Sequence, residues 1–190
     1  MTSNPGEKKP IIAIVGLPGA GKTVAVQYLM QKTGWPKVYF GDLILDEVKR
    51  RNLIINEVNE RLVREELRAK HGMGACAILS LSKIQAALKN NPGVFIESMY
   101  SWEEYLELKK EFSEAFKVIA IYAPFSLRAE RLARRPQRPL QAAEVESRDY
   151  SQIANLHQAG PIARADATVL CEGTLEELYR DLDGAFARLQ

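Results

Sequence analysis

Histidine is scarce in this sequence: His71 and His157 are the only two in 190 residues, and they stand apart. We assign them no chemistry. The two cysteines, Cys76 and Cys171, are equally isolated, each inside an apolar run ("GACAIL" and "ATVLC"). That scarcity excludes a disulfide framework and a Cys/His metal centre, and predicts buried, reduced thiols. Long apolar runs are missing too. The first, "IIAIV" over 11–15, is far too short to cross a bilayer, and nothing of signal-peptide character precedes it. These absences predict a soluble, cytoplasmic protein with no membrane partner. An excess of one charge is also lacking: 26 Lys and Arg face 24 Asp and Glu, for a formal net charge of +2. So even a balance argues against a nucleic-acid partner.

What is present is a hydrophobic content of 46%, enough for one domain with a real core. A polar stretch over 1–9 predicts a flexible tail, followed by one domain over 10–190. Short runs rich in Val and Ile recur at 11–15, 37–40, 94–98, 117–123 and 167–171. Their near-continuous hydrophobicity predicts strands buried on both faces. Helical patterns alternate with them. Two open on capping boxes, Ser101/Glu104 and Thr174/Glu177. The expectation is an α/β fold with a doubly wound, five-stranded parallel sheet. Residues 41–92 hold no strand pattern. They read as helices near 43–51, 57–70 and 74–89, a helical lobe over the carboxyl edge of the sheet, where ligands bind in such folds.

The clearest signal is "GLPGAGKT", Gly16 to Thr23, which matches G-x-x-x-x-G-K-S/T between a strand and a helix. Gly16, Gly19 and Gly21, with Pro18 and Ala20, let the backbone curl so that its N–H groups point at phosphate oxygens. Lys22 is then placed for the β- and γ-phosphates, and Thr23 for Mg²⁺. ATP and Mg²⁺ are the expected cofactors.

A second cluster runs from Arg128 to Arg138: five arginines, opposed locally by Glu130. Pro136 disfavours helix at Arg135, so a helix ends there and a stiff loop carries Arg138. Arg135 and Arg138 fit the stabilisation of charge on a transferring phosphate. Arg128 alone reads as part of a solvated basic face. Among acidic residues, Asp42 follows strand two, as a hydroxyl-proton acceptor, a ribose ligand, a holder of Mg²⁺ through water or a helix cap. Glu97 ends strand three, where a metal-orienting carboxylate sits, acting directly or through water. Arg61, Arg64 and Arg68 share one helix face, with Arg68 the candidate for a second substrate's phosphate and internal ion pairs the alternative. Tyr100 and Trp102 either flank a base or pack.

With these residues, the chain over about 10–188 resembles the P-loop nucleotide kinase superfamily. It is similar to adenylate-kinase-like nucleoside monophosphate kinases, to dephospho-CoA kinases, and to an archaeal-type group intermediate between them. "FGDLILDEVKRR" resembles the start of the acceptor lobe, and "RLARRPQR" with "SRDY" a short lid over 131–148. The resemblance implies that Arg131, Arg135 and Arg138 contact ATP or the moving phosphate, that Arg148 bridges donor and acceptor, and that the loop at Gly173 contacts adenine. Leu45 and the Glu97-Ser98-Met99-Tyr100-Ser101 run depart from the relatives' arginine-bearing patterns. The leading expectation is ATP- and Mg-dependent phosphoryl transfer to a nucleoside monophosphate, by a monomer or homodimer acting on a small-molecule acceptor. Dephospho-CoA kinase is the alternative, and a P-loop ATPase or switch is an alternative of another class.

Overall fold

The computed structural model describes residues 9–190. The expected tail over 1–9 therefore lies outside the described residues except for Lys9, whose ammonium donates to the Leu88 carbonyl at 2.5 Å. Five strands form one parallel sheet: β1 Ile11–Val15, β2 Lys37–Tyr39, β3 Val94–Glu97, β4 Phe116–Tyr122 and β5 Ala167–Leu170, in the order β2-β3-β1-β4-β5. The helices are α1 Lys22–Thr33, α2 Phe40–Arg50, α3 Glu57–His71, α4 Ala75–Asn90, α5 Trp102–Phe112, α6 Phe125–Arg134, α7 Ala142–Ala154, α8 Ala159–Ala163 and α9 Leu175–Ala187. No helix among the described residues is long and apolar enough to cross a membrane.

The central strand shows why these sequences must be strands. Side chains on a strand alternate faces, and both faces of β1 are buried. Ile11, Ala13 and Val15 join a cluster with Val48, Val63, Ile84 and Leu108, from α2, α3, α4 and α5. Ile12 and Ile14 join a second with Val26, Leu29, Leu178 and Leu182, from α1 and α9. The same alternation puts Phe95 in the α1-side cluster, and Glu97, two residues on, points to that side. The sheet therefore delivers the last residue of β3 to the start of α1.

Three local features differ from the sequence-based expectation. Strand β2 stops at Tyr39, and α2 begins at Phe40, three residues early. Phe40 is buried in the core, and Gly41 lies so close to the Tyr39 ring that a Cβ would come within 2.3 Å of it. Between β4 and β5 the chain forms three helices, α6, α7 and α8, where one was expected. Arg128 is buried rather than solvated, at 5% exposure. Its guanidinium forks onto Asp149 of α7 at 3.0 and 2.6 Å, and donates to the carbonyls of Ala123 and Pro18 at 3.1 and 3.0 Å. It thus ties α7 to the glycine-rich loop. The α6 helix does end at Arg134, with Arg135 extended ahead of Pro136.

Candidate active site

The loop after β1 is held open by glycine. Gly16 has φ +145°, and a Cβ there would sit 2.3 Å from the Ile121 carbonyl oxygen. Gly21 caps α1 in the left-handed region, and a Cβ there would meet the Cys171 sulfur at 2.8 Å. At Gly16 an L side chain would have to displace the β4 backbone; at Gly21 it would strain the left-handed backbone and crowd the Cys171 sulfur. Ala20 is buried beneath the loop, its N–H closing a turn onto Leu17 O at 3.2 Å. The α1 amino terminus therefore faces the loop with unsatisfied N–H groups and the positive end of its dipole.

Lys22 curls back over this loop, donating to Gly16 O at 2.7 Å and Leu17 O at 3.0 Å. Burial, reinforced by the nearby Arg148 charge, pulls its pKa down to about 8, while Glu97 acts in the opposite direction. Thr23 donates its hydroxyl to Glu97 Oε1 at 3.2 Å. Two hard oxygen donors from different elements thus meet at the loop, as Mg²⁺ prefers. Among the described residues no cluster of three or more His, Cys, Asp and Glu side chains could hold a metal by itself. A cation at Thr23 and Glu97 would need further oxygens from a bound phosphate and from water, which suits a metal that arrives with a nucleotide.

Two cavities lie side by side here, one of them against the loop. The first, of about 290 Å³, is lined by Pro18, Gly19, Lys22, Thr23, Glu97 and Arg135 among others; we call it the loop cavity. The second, of about 250 Å³, lies under the helical lobe and includes Arg64, Arg68, Arg138, Ser98, Tyr100 and Glu104; we call it the lobe cavity. Arg148 and Tyr100 line both. An open cleft of about 880 Å³ between α3 and α7 continues outward past Arg64, Arg135, Arg138 and Arg148. The Arg68 Nε is buried and has no hydrogen-bond partner in the protein. A buried, unpaired guanidinium nitrogen is costly unless an anion completes it. Burial, with the Arg148 and Arg138 charges adding to it, pushes the Arg135 pKa down. One carboxylate lining the lobe cavity, Glu104, is fully buried. It is occupied as the α5 cap, accepting from the backbone N–H of Tyr100 at 2.7 Å and of Ser101 at 3.0 Å.

The site residues expected from sequence fall into three groups. Lys22, Thr23, Glu97, Arg135 and Arg148 converge on the loop cavity; Arg68, Tyr100, Arg138 and Arg148 converge on the lobe cavity. Arg138 holds a left-handed backbone at φ +51° and lies 3.6 Å from Glu57 of the lobe. Arg131 and Gly173 line neither cavity. Arg131 instead crosses to the chain beyond β5, donating to Cys171 O at 2.9 Å, two residues before Gly173. Asp42 is the exception. It is exposed on the outer face of α2 and lines neither cavity, because the helix starts at Phe40 and its inward positions are Phe40, Ile44 and Val48. An aspartate placed at the end of a strand by sequence becomes an aspartate in the first helical turn.

Sequence reasoning missed three residues here. Lys37 pairs with Glu97 at 2.5 Å; its signal was the strand alternation that puts it on the Glu97 face. Gln152 lines both cavities, and its Oε1 is buried without a partner; it sits one helical turn beyond Arg148. Gln158, fully buried, donates to Gly16 O at 3.1 Å, a long-range contact that no local pattern announces.

Known proteins resemble this chain in sequence and in fold. Residues 12–152 match the family profile described as an AAA domain, AAA_18. A UPF0200 protein of Thermococcus gammatolerans is 31% identical over 170 residues, covering 88% of each chain. Among solved structures, the Thermus thermophilus protein TT1252 superposes with a TM-score of 0.70 at 20% identity, over 97% of this chain and 100% of that one. A gluconokinase from Sinorhizobium meliloti does so at 0.60 and 14%, over 96% and 94%. At such identities the structural likeness speaks for the fold, which is that of P-loop kinases. The chain belongs to the AAA_18 family, described as an AAA domain, and to the UPF0200 proteins.

Proposed function

We propose that this protein is a phosphotransferase that moves the γ-phosphate of Mg·ATP to the phosphate of a nucleoside monophosphate, giving ADP and a nucleoside diphosphate. The observation that carries the reading is Arg148, shared between the loop cavity with Lys22 and the arginine-rich lobe cavity. A residue so placed can touch both the phosphate that leaves and the phosphate that receives it.

In this reading the loop N–H groups and Lys22 hold the β- and γ-phosphates. Thr23 and Glu97 would hold Mg²⁺, which would supply positive charge to offset that of the phosphates. Arg64, Arg68 and Arg138 hold the acceptor phosphate. One of its oxygens bonds to the γ-phosphorus while the bond to the β–γ bridging oxygen breaks, and ADP departs with that electron pair. The nucleophile is already anionic, so no general base is required; positioning and charge stabilisation supply the rate. Of the carboxylates at the two cavities, Glu104 caps α5, Glu97 is engaged by Thr23 and Lys37, and Glu57 and Glu60 stand on the lobe side, with Glu57 3.6 Å from Arg138; Asp42 lines neither cavity. What favours a phosphate acceptor over the ribose hydroxyl of dephospho-CoA is the arginine set Arg64, Arg68, Arg138 and Arg148 around the lobe cavity. The segment 131–148, spanning the end of α6 and the first half of α7, would act as the lid that keeps water from the γ-phosphate. The test is a panel of ribo- and deoxyribonucleoside monophosphates and dephospho-CoA, each offered with Mg·ATP while ADP is measured. At least one monophosphate should raise ADP release far above basal hydrolysis. Stimulation by dephospho-CoA alone, or by nothing, would overturn the reading.

A further inference from the structure

Glu97 is 7% exposed and carries two bonds. Its Oε1 accepts the Thr23 hydroxyl at 3.2 Å, and its Oε2 accepts the Lys37 ammonium at 2.5 Å. Strand register accounts for the second bond. Tyr39 pairs with Glu97 and Lys37 with Phe95, so Lys37 is the diagonal neighbour of Glu97 on one sheet face, within reach of a long side chain. The Lys37 Nζ lies 5.8 Å from the Tyr39 ring centroid. Lys37 lines the loop cavity together with Lys22, Thr23, Arg135 and Arg148.

A buried carboxylate beside a metal site poses a charge problem whenever the metal is away, because an unpaired buried anion is strongly disfavoured. We propose that Lys37 is a displaceable internal cation. It neutralises the metal-orienting Glu97 in the free protein, and it moves to phosphate oxygens when nucleotide binds, so that metal and nucleotide enter together. The inference rests on the nucleotide-binding reading above. The physical basis is competition for one oxygen pair. A dication near Glu97 would face an ammonium already bonded to it, and like charges repel at that range. Incoming phosphates supply the negative charge that makes it favourable for Lys37 to swing away on its flexible stem. Glu97 is then released toward a metal-bound water, and Lys37 becomes a phosphate contact opposite Lys22.

The test is the coupling between metal and nucleotide, which is reciprocal by linkage. ADP affinity is measured calorimetrically in EDTA and in saturating Mg²⁺, for the wild type, Lys37→Met and Lys37→Arg. The ratio of the two dissociation constants should fall about tenfold or more in Lys37→Met, because without the ammonium the metal reaches Glu97 before nucleotide arrives and the coupling that Lys37 supplies is lost. Lys37→Arg should stay within about threefold of wild type. A Lys37→Met ratio equal to wild type, with ADP binding intact, would overturn the inference alone. No ADP binding by wild type in either condition would overturn the nucleotide reading, and this inference with it. A second measurement needs no variant: electron paramagnetic resonance of Mn²⁺ titrated into wild-type protein. It should show no site tighter than about 1 mM without nucleotide and one Mn²⁺ per chain with ADP. A site near 10 µM in the nucleotide-free protein would refute the idea.

Discussion

The Arg128–Asp149 pair joins α6 and α7 to the glycine-rich loop, and removing Asp149 should expose how much depends on it. The guanidinium is 5% exposed. It would keep its bonds to the Ala123 and Pro18 carbonyls but lose the only carboxylate it contacts among the described residues. Breaking a buried ion pair by deleting one partner costs about 3–5 kcal/mol, because the survivor's charge stays buried and uncompensated. For a domain of this length each kcal/mol lowers Tm by about 2–4 °C, so Asp149→Ala should melt about 6–20 °C below wild type. Arg128→Ala should fall in the same range, since it strands both the carboxylate and two carbonyls. The double variant Arg128→Met/Asp149→Leu should be far less destabilised than the two singles added together, as apolar partners can fill the space. Thermal melts followed by circular dichroism, with urea titration for the free energies, provide the assay. Two single variants melting within about 2 °C of wild type would refute the reasoning, for a solvated pair would behave that way.

Three further outcomes follow from the geometry. Lys22, with its pKa held at about 8 in the free protein, releases its proton above that pH, whereas bound phosphate favours the ammonium. ADP binding should therefore take up about 0.1 proton at pH 7 and about 0.9 at pH 9, with affinity falling as pH rises beyond 8; calorimetry in buffers of different ionisation enthalpy reads this directly. Ser113 ends α5 in the left-handed region at φ +51°, so Ser113→Gly should stabilise the fold by about 1 kcal/mol in urea titration, and a loss of stability would contradict the assigned strain. Arg135→Ala should lower kcat by about 100-fold or more while changing the KM for ATP far less, because the side chain lines the loop cavity without supporting the loop itself.

Local signals made much of this legible in advance. The glycine spacing announced the loop, and apolar runs announced five parallel strands, although the outer strands β2 and β5 are not buried on both faces as expected. The Ser101/Glu104 and Thr174/Glu177 capping boxes both formed, as did the helix stop before Pro136. What failed was decided by tertiary packing. Arg128 looked solvated because its partner, Asp149, lies 21 residues away in a helix whose packing no local pattern fixes. Asp42 looked like a strand-end acid because the one-turn advance of α2 depends on Phe40 entering the core and Gly41 meeting a tyrosine ring. Lys37 and Gln158 act through contacts made only when β2 meets β3 and when the chain after α7 returns to the loop.

The central claim is transfer between two phosphates across Arg148, and the most direct measurement follows the label. ATP carrying a labelled γ-phosphate is mixed with excess protein, Mg²⁺ and the monophosphate that most stimulates ADP release, and the products of one turnover are separated. The label should appear in the nucleoside diphosphate, and the yield should collapse in Arg148→Ala. Label found only in inorganic phosphate, or transfer undiminished in Arg148→Ala, would contradict the account.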